Sequence, residues 1–284
     1  MNDVTFFDKT YQPEKNLEYN LYVSVSAYNY SYCIFDTKKQ TFIAAVHKNF
    51  EEKLPHFILL DTIKKAFQND EILNSSYNQV FFVYQTSKSS LIPDKFFNST
   101  TVRKQLAFSQ QIDDVEEVRY NRLEKIRACN VFALPVALRM FLENHYKNIR
   151  FFQQATPFID YYLFPVHWTE NRLNGMSVKI LVHRHFFDIL VSDSKQLLLY
   201  NSFIYRNEKD FIYFVLFIFK KLQLVREKTE ITLLGDISTQ SVYYEELRKF
   251  IKNITFPSPR FHFAFDGMTN HIQNYFNNLL NIEP

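Results

Sequence analysis

Short runs in which apolar side chains alternate with polar ones, or crowd together as β-branched and aromatic residues, mark the first strands of this chain. Residues 21–27 (LYVSVSA) set apolar positions against serines, residues 30–35 follow, and Asp36-Thr37-Lys38-Lys39 supplies turn chemistry before residues 41–46. These three runs predict an antiparallel meander. The period then lengthens to three and four. Across residues 54–68, Phe57, Leu60, Ile63, Lys64 and Phe67 fall on one face of a helix. Residues 79–84 (QVFFVY) predict a strand that closes the unit.

The same order returns later. Residues 178–182 and 186–191 predict strands, Asp193-Ser194-Lys195 a turn, and residues 196–203 a third strand; residues 208–224 predict a long apolar helix and residues 230–234 (EITLL) a closing strand. The turn residues Asp36 and Asp193 lie 157 residues apart. A β-β-β-α-β unit therefore occurs twice, and self-similarity at a long period outranks any single motif. Between the copies, residues 99–110 predict a helix, and residues 115–127 (VEEVRYNRLEKIR) suit either a strand or a helix. Residues 130–134 predict a strand with Pro135 opening a helix through 146, residues 149–153 a strand, and Thr156-Pro157 another helix. Helices are expected again at 241–251 and 268–280. The expected division is a first lobe at 1–112, an inserted subdomain at 113–155 and a second lobe at 156–284. With no Pro-rich linker or low-complexity stretch, the lobes should pack closely.

Composition narrows the chemistry. The 284 residues include 31 Phe and 18 Tyr but only 3 Gly and 2 Cys. Aromatic abundance excludes a disordered chain. Gly175, Gly235 and Gly267 are too few and too scattered to write a P-loop or a dinucleotide fingerprint. The formal charge is +3, spread over separated pairs such as Lys38-Lys39 and Lys220-Lys221 rather than gathered into the stripe that nucleic acid requires. Cys33 and Cys129 lack CxxC spacing and read as buried, reduced thiols. The start of the chain lacks a signal peptide's basic and apolar pattern. The apolar stretch 211–219 is far shorter than the ~20 residues of a membrane span. A cytoplasmic protein without a membrane span is expected.

A meander, a helix and a further strand, present twice, is the plan of ribonuclease H-like and actin-like folds. The chain resembles a bacterial family of unknown function with an actin-like ATPase fold and, more distantly, the pilus-assembly and cell-division branch of that superfamily. That resemblance implies a mixed α/β (α+β) fold of duplicated ribonuclease H-like units with a small inserted subdomain. It also implies where a nucleotide site would fall. Members that hydrolyse ATP begin the first strand with an aspartate, followed by glycines, to hold metal and phosphates. Here Ser24 stands at the aspartate position, Ser26 at a glycine position, and Tyr28-Asn29 complete the turn. A serine hydroxyl brings no negative charge to a magnesium ion, and a tyrosine ring is bulky where main chain should approach phosphate. The second phosphate loop falls at His183-Arg184-His185, without an Asp-x-Gly. The adenosine motif, a strand running into a Gly-Gly turn, is half preserved at Gly235-Asp236.

Other chemistries rest on thinner patterns. His183 and His185, two apart, share a face if they lie on a strand, with Asp188 as a third ligand on paper. The expectation is a hydrogen-bonded or surface pair, and no metal site. Asp113-Asp114 and Glu116-Glu117 read as solvated surface. Ser24, Ser26, Asn29, His183, His185, Gly235 and Asp236 are thus the candidate cleft residues, with no catalytic residue among them. The functional reading is a non-catalytic protein with a degenerate nucleotide site that binds a protein partner or acts as a scaffold, as a monomer or weak homo-oligomer. It needs no cofactor. The alternative is a divergent ATP-binding protein or slow ATPase, with ATP and magnesium as its ligands. A nucleic-acid reading through Arg119, Arg122, Lys125 and Arg127 is set aside because acids interrupt them.

Overall fold

The computed structural model describes residues 3–163, 176–193, 196–257, 263–264, 275–276 and 279–282. Two sheets dominate. The first contains β1 (Val4–Phe7), β2 (Tyr19–Val25), β3 (Asn29–Asp36), β4 (Thr41–Asn49), β5 (Gln79–Tyr84) and β9 (Ile149–Gln153), in the order β1-β4-β3-β2-β5-β9. The second contains β10 (Ser177–Val182), β11 (Phe186–Ser192), β12 (Leu197–Ile204), β13 (Glu230–Gly235) and β14 (Ile254–Thr255), in the order β12-β11-β10-β13-β14. In each, the central strand, β2 or β10, runs antiparallel to the strand after it and parallel to the strand that follows the helix. The duplication expected from the sequence is therefore a repeat of topology.

A third sheet of three strands joins β6 (Ser89–Pro93), β8 (Ala128–Pro135) and β7 (Glu116–Leu123), in the order β6-β8-β7. It interrupts the first unit between β5 and the helix that leads to β9. Beside the expected 113–155 segment, the small sheet starts earlier, at Ser89, and ends at Pro135, while β9 extends the first sheet by pairing with β5. The ambiguous stretch 115–127 resolves as strand β7. Its charges sit on an edge strand with one polar face, which blurs both periods.

Alternation determines the faces. On β10, Val178, Ile180 and Val182 point to one side and meet α5 (Glu208–Lys221) and α6 (Val242–Leu247) through Phe211, Val215, Ile218, Phe219 and Leu247. Leu181 points to the other side and meets Phe158, Ile159 and Tyr162 of α4 (Ala155–Tyr162). In the first lobe, α1 (His56–Asn69) and α3 (Val136–His145) cover one face of the sheet with Leu59, Ile63, Phe67, Leu138 and Leu142. Tyr22, Cys33, Phe35, Phe42 and Phe81 fill the opposite face with Phe276, Leu279 and Leu280. Full burial of each such side chain contributes roughly 1.5–3 kcal/mol, so this aromatic-rich chain has ample material for two-sided sheets.

Local signals end the helices. Asn207 caps α5 by accepting from the Asp210 amide, Glu208 and Asp210 sit in the first turn, and Lys220 and Lys221 in the last, each complementing the helix dipole. Ser241 caps α6 through the Tyr244 amide. That helix is shorter than the expected 241–251, because Phe250 N and Ile251 N both turn back to the Leu247 carbonyl. In the first meander, Asp36 Oδ1 accepts from the amides of Lys38 and Lys39. Its counterpart Asp193 accepts from Gln196 N. Both cysteines are buried and unbridged. No helix among the described residues is long and apolar enough to cross a membrane. Trp168, Gly175, Gly267 and most of the helix expected at 268–280 lie outside the described residues.

His47, opposite Ser31 in the β3–β4 ladder, is fully buried. Ser31 Oγ lies 2.8 Å from its Nδ1 and Asn49 Oδ1 lies 3.2 Å from its Nε2. Burial pulls its pKa from the ordinary 6.5 down to about 4. The unfolded chain then binds the extra proton more readily, so stability drains away as pH falls through that window. Urea unfolding should show the wild type losing about 3 kcal/mol more than His47→Gln between pH 7 and pH 4. Equal losses would remove His47 as the cause.

Candidate functional site

Three-residue hairpins leave the same end of the two central strands: Ser26-Ala27-Tyr28 after β2 and His183-Arg184-His185 after β10. Open α/β sheets place ligands outside the carboxyl ends of their parallel strands. The resemblance assigns the phosphates of a nucleotide to these two turns.

The first hairpin is closed on itself. Ser26 Oγ accepts from the amides of Tyr28 and Asn29, both at 3.0 Å, and reaches Asn29 Oδ1 at 3.0 Å. The Ser26 amide donates to the Asn29 carbonyl. The carbonyls of Ala27 and Tyr28 accept from Leu54 N and Phe50 N. Two amides that a phosphate cradle would present are thus already donated to a hydroxyl. Two residues before Ser26, Ser24 is 2% exposed and accepts from Gln85 Nε2 at 2.7 Å.

The second hairpin separates its histidines. His183 turns inward, stacks on Phe186 and places Nε2 3.2 Å from Asp188 Oδ2. His185 turns outward and stacks on the ring of Tyr28, with centroids 4.3 Å apart and planes 30° from parallel. The pair therefore does not converge on one ion. Asp188, wholly buried, accepts from His183, Gln154 Nε2 at 3.1 Å, Tyr200 OH at 2.9 Å and Ser202 Oγ. Gln154 also bonds the Thr86 carbonyl, so this carboxylate ties the second lobe to the end of β5 in the first.

Tyr28 and His185 are 157 residues apart, the offset that also separates the turn aspartates. The interlobe contact joins equivalent positions of the two repeats. Arg184 reinforces it: its Nη1 donates to the Phe50 carbonyl at 3.2 Å, and its guanidinium lies 5.7 Å from the Tyr28 ring centroid. Burial, opposed by Arg184, pushes the Tyr28 hydroxyl pKa up. Burial, then Arg184 and Lys53, pushes the His185 imidazole down. Both rings are neutral at pH 7.

Gly235 ends β13 beside Val182 with φ of +84°, and a Cβ there would lie 2.2 Å from the Val182 carbonyl oxygen. The Asp236 amide donates to that same oxygen at 2.9 Å. The glycine is demanded by backbone proximity and a left-handed turn. Asn29, His183, Gly235 and Asp236 surround a cavity of only about 20 Å³, together with Gln85, Arg184 and Tyr275. That volume holds about one water molecule. Ser26 and His185 instead face a neighbouring cavity of about 570 Å³, and Ser24 bonds Gln85, which lines both cavities.

Sequence reasoning missed the wall of that larger cavity. Glu116, expected in solvent, is 3% exposed and is held by Lys88 Nζ at 2.8 Å. Lys88 also reaches Asp113 at 2.9 Å and, with its hydrogen bonds, holds that carboxyl below the usual range. Gln85, Gln154, Tyr200 and Ser202 carry no motif, and only three-dimensional proximity reveals them. Three of the four basic residues weighed for nucleic acid are engaged separately: Arg119 pairs with Glu117 and Glu143, Arg122 with Asp94, and Lys125 donates to the Asp160 carbonyl.

Residues 8–254 match the model of a family described as "Protein of unknown function (DUF3822)". Among solved structures, the chain is similar to a Bacteroides thetaiotaomicron protein with actin-like ATPase fold and unknown function. The identity is 25%, the TM-score 0.75, and the match covers 96% of this chain and 100% of the other. It is also similar to a chain of the PilM–PilN type IV pilus biogenesis complex, at 10% identity and a TM-score of 0.53, over 95% of this chain and all of that one. No curated protein sequence matches. The protein has the actin-like ATPase fold.

Gly235→Ala should destabilise the protein by about 2–5 kcal/mol, since it combines a strained φ with a main-chain clash. Denaturant unfolding measures this, and an unchanged midpoint would contradict the packing account of Gly235.

Proposed function

The chain belongs to the DUF3822 family, and we propose that it is a non-catalytic actin-like protein: a cytoplasmic scaffold or partner-binding module whose nucleotide site has been converted into an interlobe clasp. The observation that carries this reading is the Tyr28–His185 stack, which occupies the gap between the two phosphate hairpins. Three further facts support it. Ser26 takes up the amides of its own hairpin. Ser24 offers Gln85 a hydroxyl where magnesium would need a carboxylate. The cavity beside Gly235 and Asp236 admits about one water, not an adenosine.

With the hairpins locked, the lobes act as one surface-bearing body, and binding a protein requires no turnover. The adjacent 570 Å³ cavity is the one feature that favours the second reading, a divergent ATP-binding protein or slow ATPase holding nucleotide in an altered pose.

Calorimetry and thermal unfolding with millimolar ATP or ADP, with and without magnesium, separate the two. The scaffold reading expects no heat and no shift. A saturable, magnesium-dependent stabilisation, reaching about 2.7 kcal/mol at a hundredfold excess over Kd, would overturn it.

A further inference from the structure

The 570 Å³ cavity carries on its wall a group of side chains that neither the clasp nor the buried seam uses. His56 is the first residue of α1, Lys88 immediately precedes β6, and Asp113 and Glu116 stand at the start of β7. Segments remote in sequence are thus brought to one point between the first lobe and the small sheet.

The geometry there is that of ligands around an ion. His56 Nε2 lies 3.6 Å from Asp113 Oδ2 and 3.5 Å from Glu116 Oε1. All three donor atoms fall within 4.8 Å of one another. Ligands held about 2.1 Å from a tetrahedral metal stand about 3.4 Å apart. The Glu116 carboxylate is also aimed. Its other oxygen, Oε2, accepts from Lys88 Nζ at 2.8 Å and from the Asp113 amide at 2.9 Å, which turns Oε1 toward the imidazole. Such outer contacts are how proteins orient metal-binding carboxylates. Lys88 Nζ also lies 2.9 Å from Asp113 Oδ2, so one ammonium bridges the two carboxylates that the imidazole meets.

We propose that His56, Asp113 and Glu116 bind a divalent first-row transition metal, with Lys88 as an outer positioning residue and the remaining coordination position open to the cavity. One imidazole and two carboxylates suit this class of ion. Three protein ligands with an open position are the arrangement of sites that present a water or substrate to a metal. Lys88 offsets one of the two carboxylate charges, so the ion meets a net charge of −1. The site is distinct from the hairpins, and nucleotide has no part in it.

The test is equilibrium dialysis of the full chain against zinc alone, followed by metal analysis and by calorimetric titration, with no nucleotide present. The wild type should retain one equivalent of zinc. His56→Ala, a change at a half-exposed position that leaves the core intact, should lose it, and so should Glu116→Gln. Thermal unfolding of each variant without metal separates loss of the site from loss of the fold. His185→Ala should keep the full equivalent, because His185 lies outside the group. Absence of saturable zinc binding to the wild type, or retention of the equivalent in folded His56→Ala, would overturn the proposal. So would saturable binding of magnesium with none of zinc. Each result leaves the nucleotide titration unaffected, so the two readings fail independently.

Discussion

Everything about this molecule turns on how a pair of hairpins satisfies its own polar groups. A phosphate-binding turn works because main-chain amides are left pointing at empty space, ready for an anion. Here the Ser26 hydroxyl consumes two of those amides, and a tyrosine and a histidine close the space. On the proposed reading, stacked neutral rings stand in place of an anion, and a site that must be filled from solution becomes a contact that is always made. The two lobes meet through Tyr28–His185, Arg184–Phe50 and the Asp188 seam.

That contact also has a symmetry. Tyr28 and His185 occupy the same place in the two repeats, as do Ser26 and His183. A duplicated fold brings equivalent hairpins face to face, so a substitution in either copy alters one shared gap. Beneath the gap the repeats diverge. The first lobe places Ser24 and Gln85 under its hairpin, whereas the second places a buried carboxylate with four donors. A buried charge is tolerable only with such full satisfaction. Asp188 therefore acts as a structural rivet between α4, β12 and the His183 turn.

Much of this could be read without coordinates. The alternating runs at β2 to β4, the apolar stretch of α5 and the repeated turn aspartates revealed both units, because two-sided sheets and amphipathic helices write their period into the chain. The small sheet was harder to read. β6 is a short, serine-led strand and β7 carries Glu117, Arg119 and Arg122, so neither shows a clean apolar face. At the site, the missing carboxylate at Ser24 and the bulk of Tyr28 were visible as departures from a pattern. The stack was not, since pairing across 157 residues leaves no local trace. Glu116 misled for a similar reason. In an acidic run it looks solvated, and only the approach of Lys88 and His56 from elsewhere explains its burial.

The claim that the phosphate turns are occupied by the protein itself is tested most directly by amide hydrogen exchange at Tyr28 and Asn29. The account predicts that both amides are protected in the free protein and that millimolar magnesium-ATP leaves their rates unchanged. Rapid exchange in the free protein, slowed on adding nucleotide, would mean that these amides await a ligand, and would contradict it.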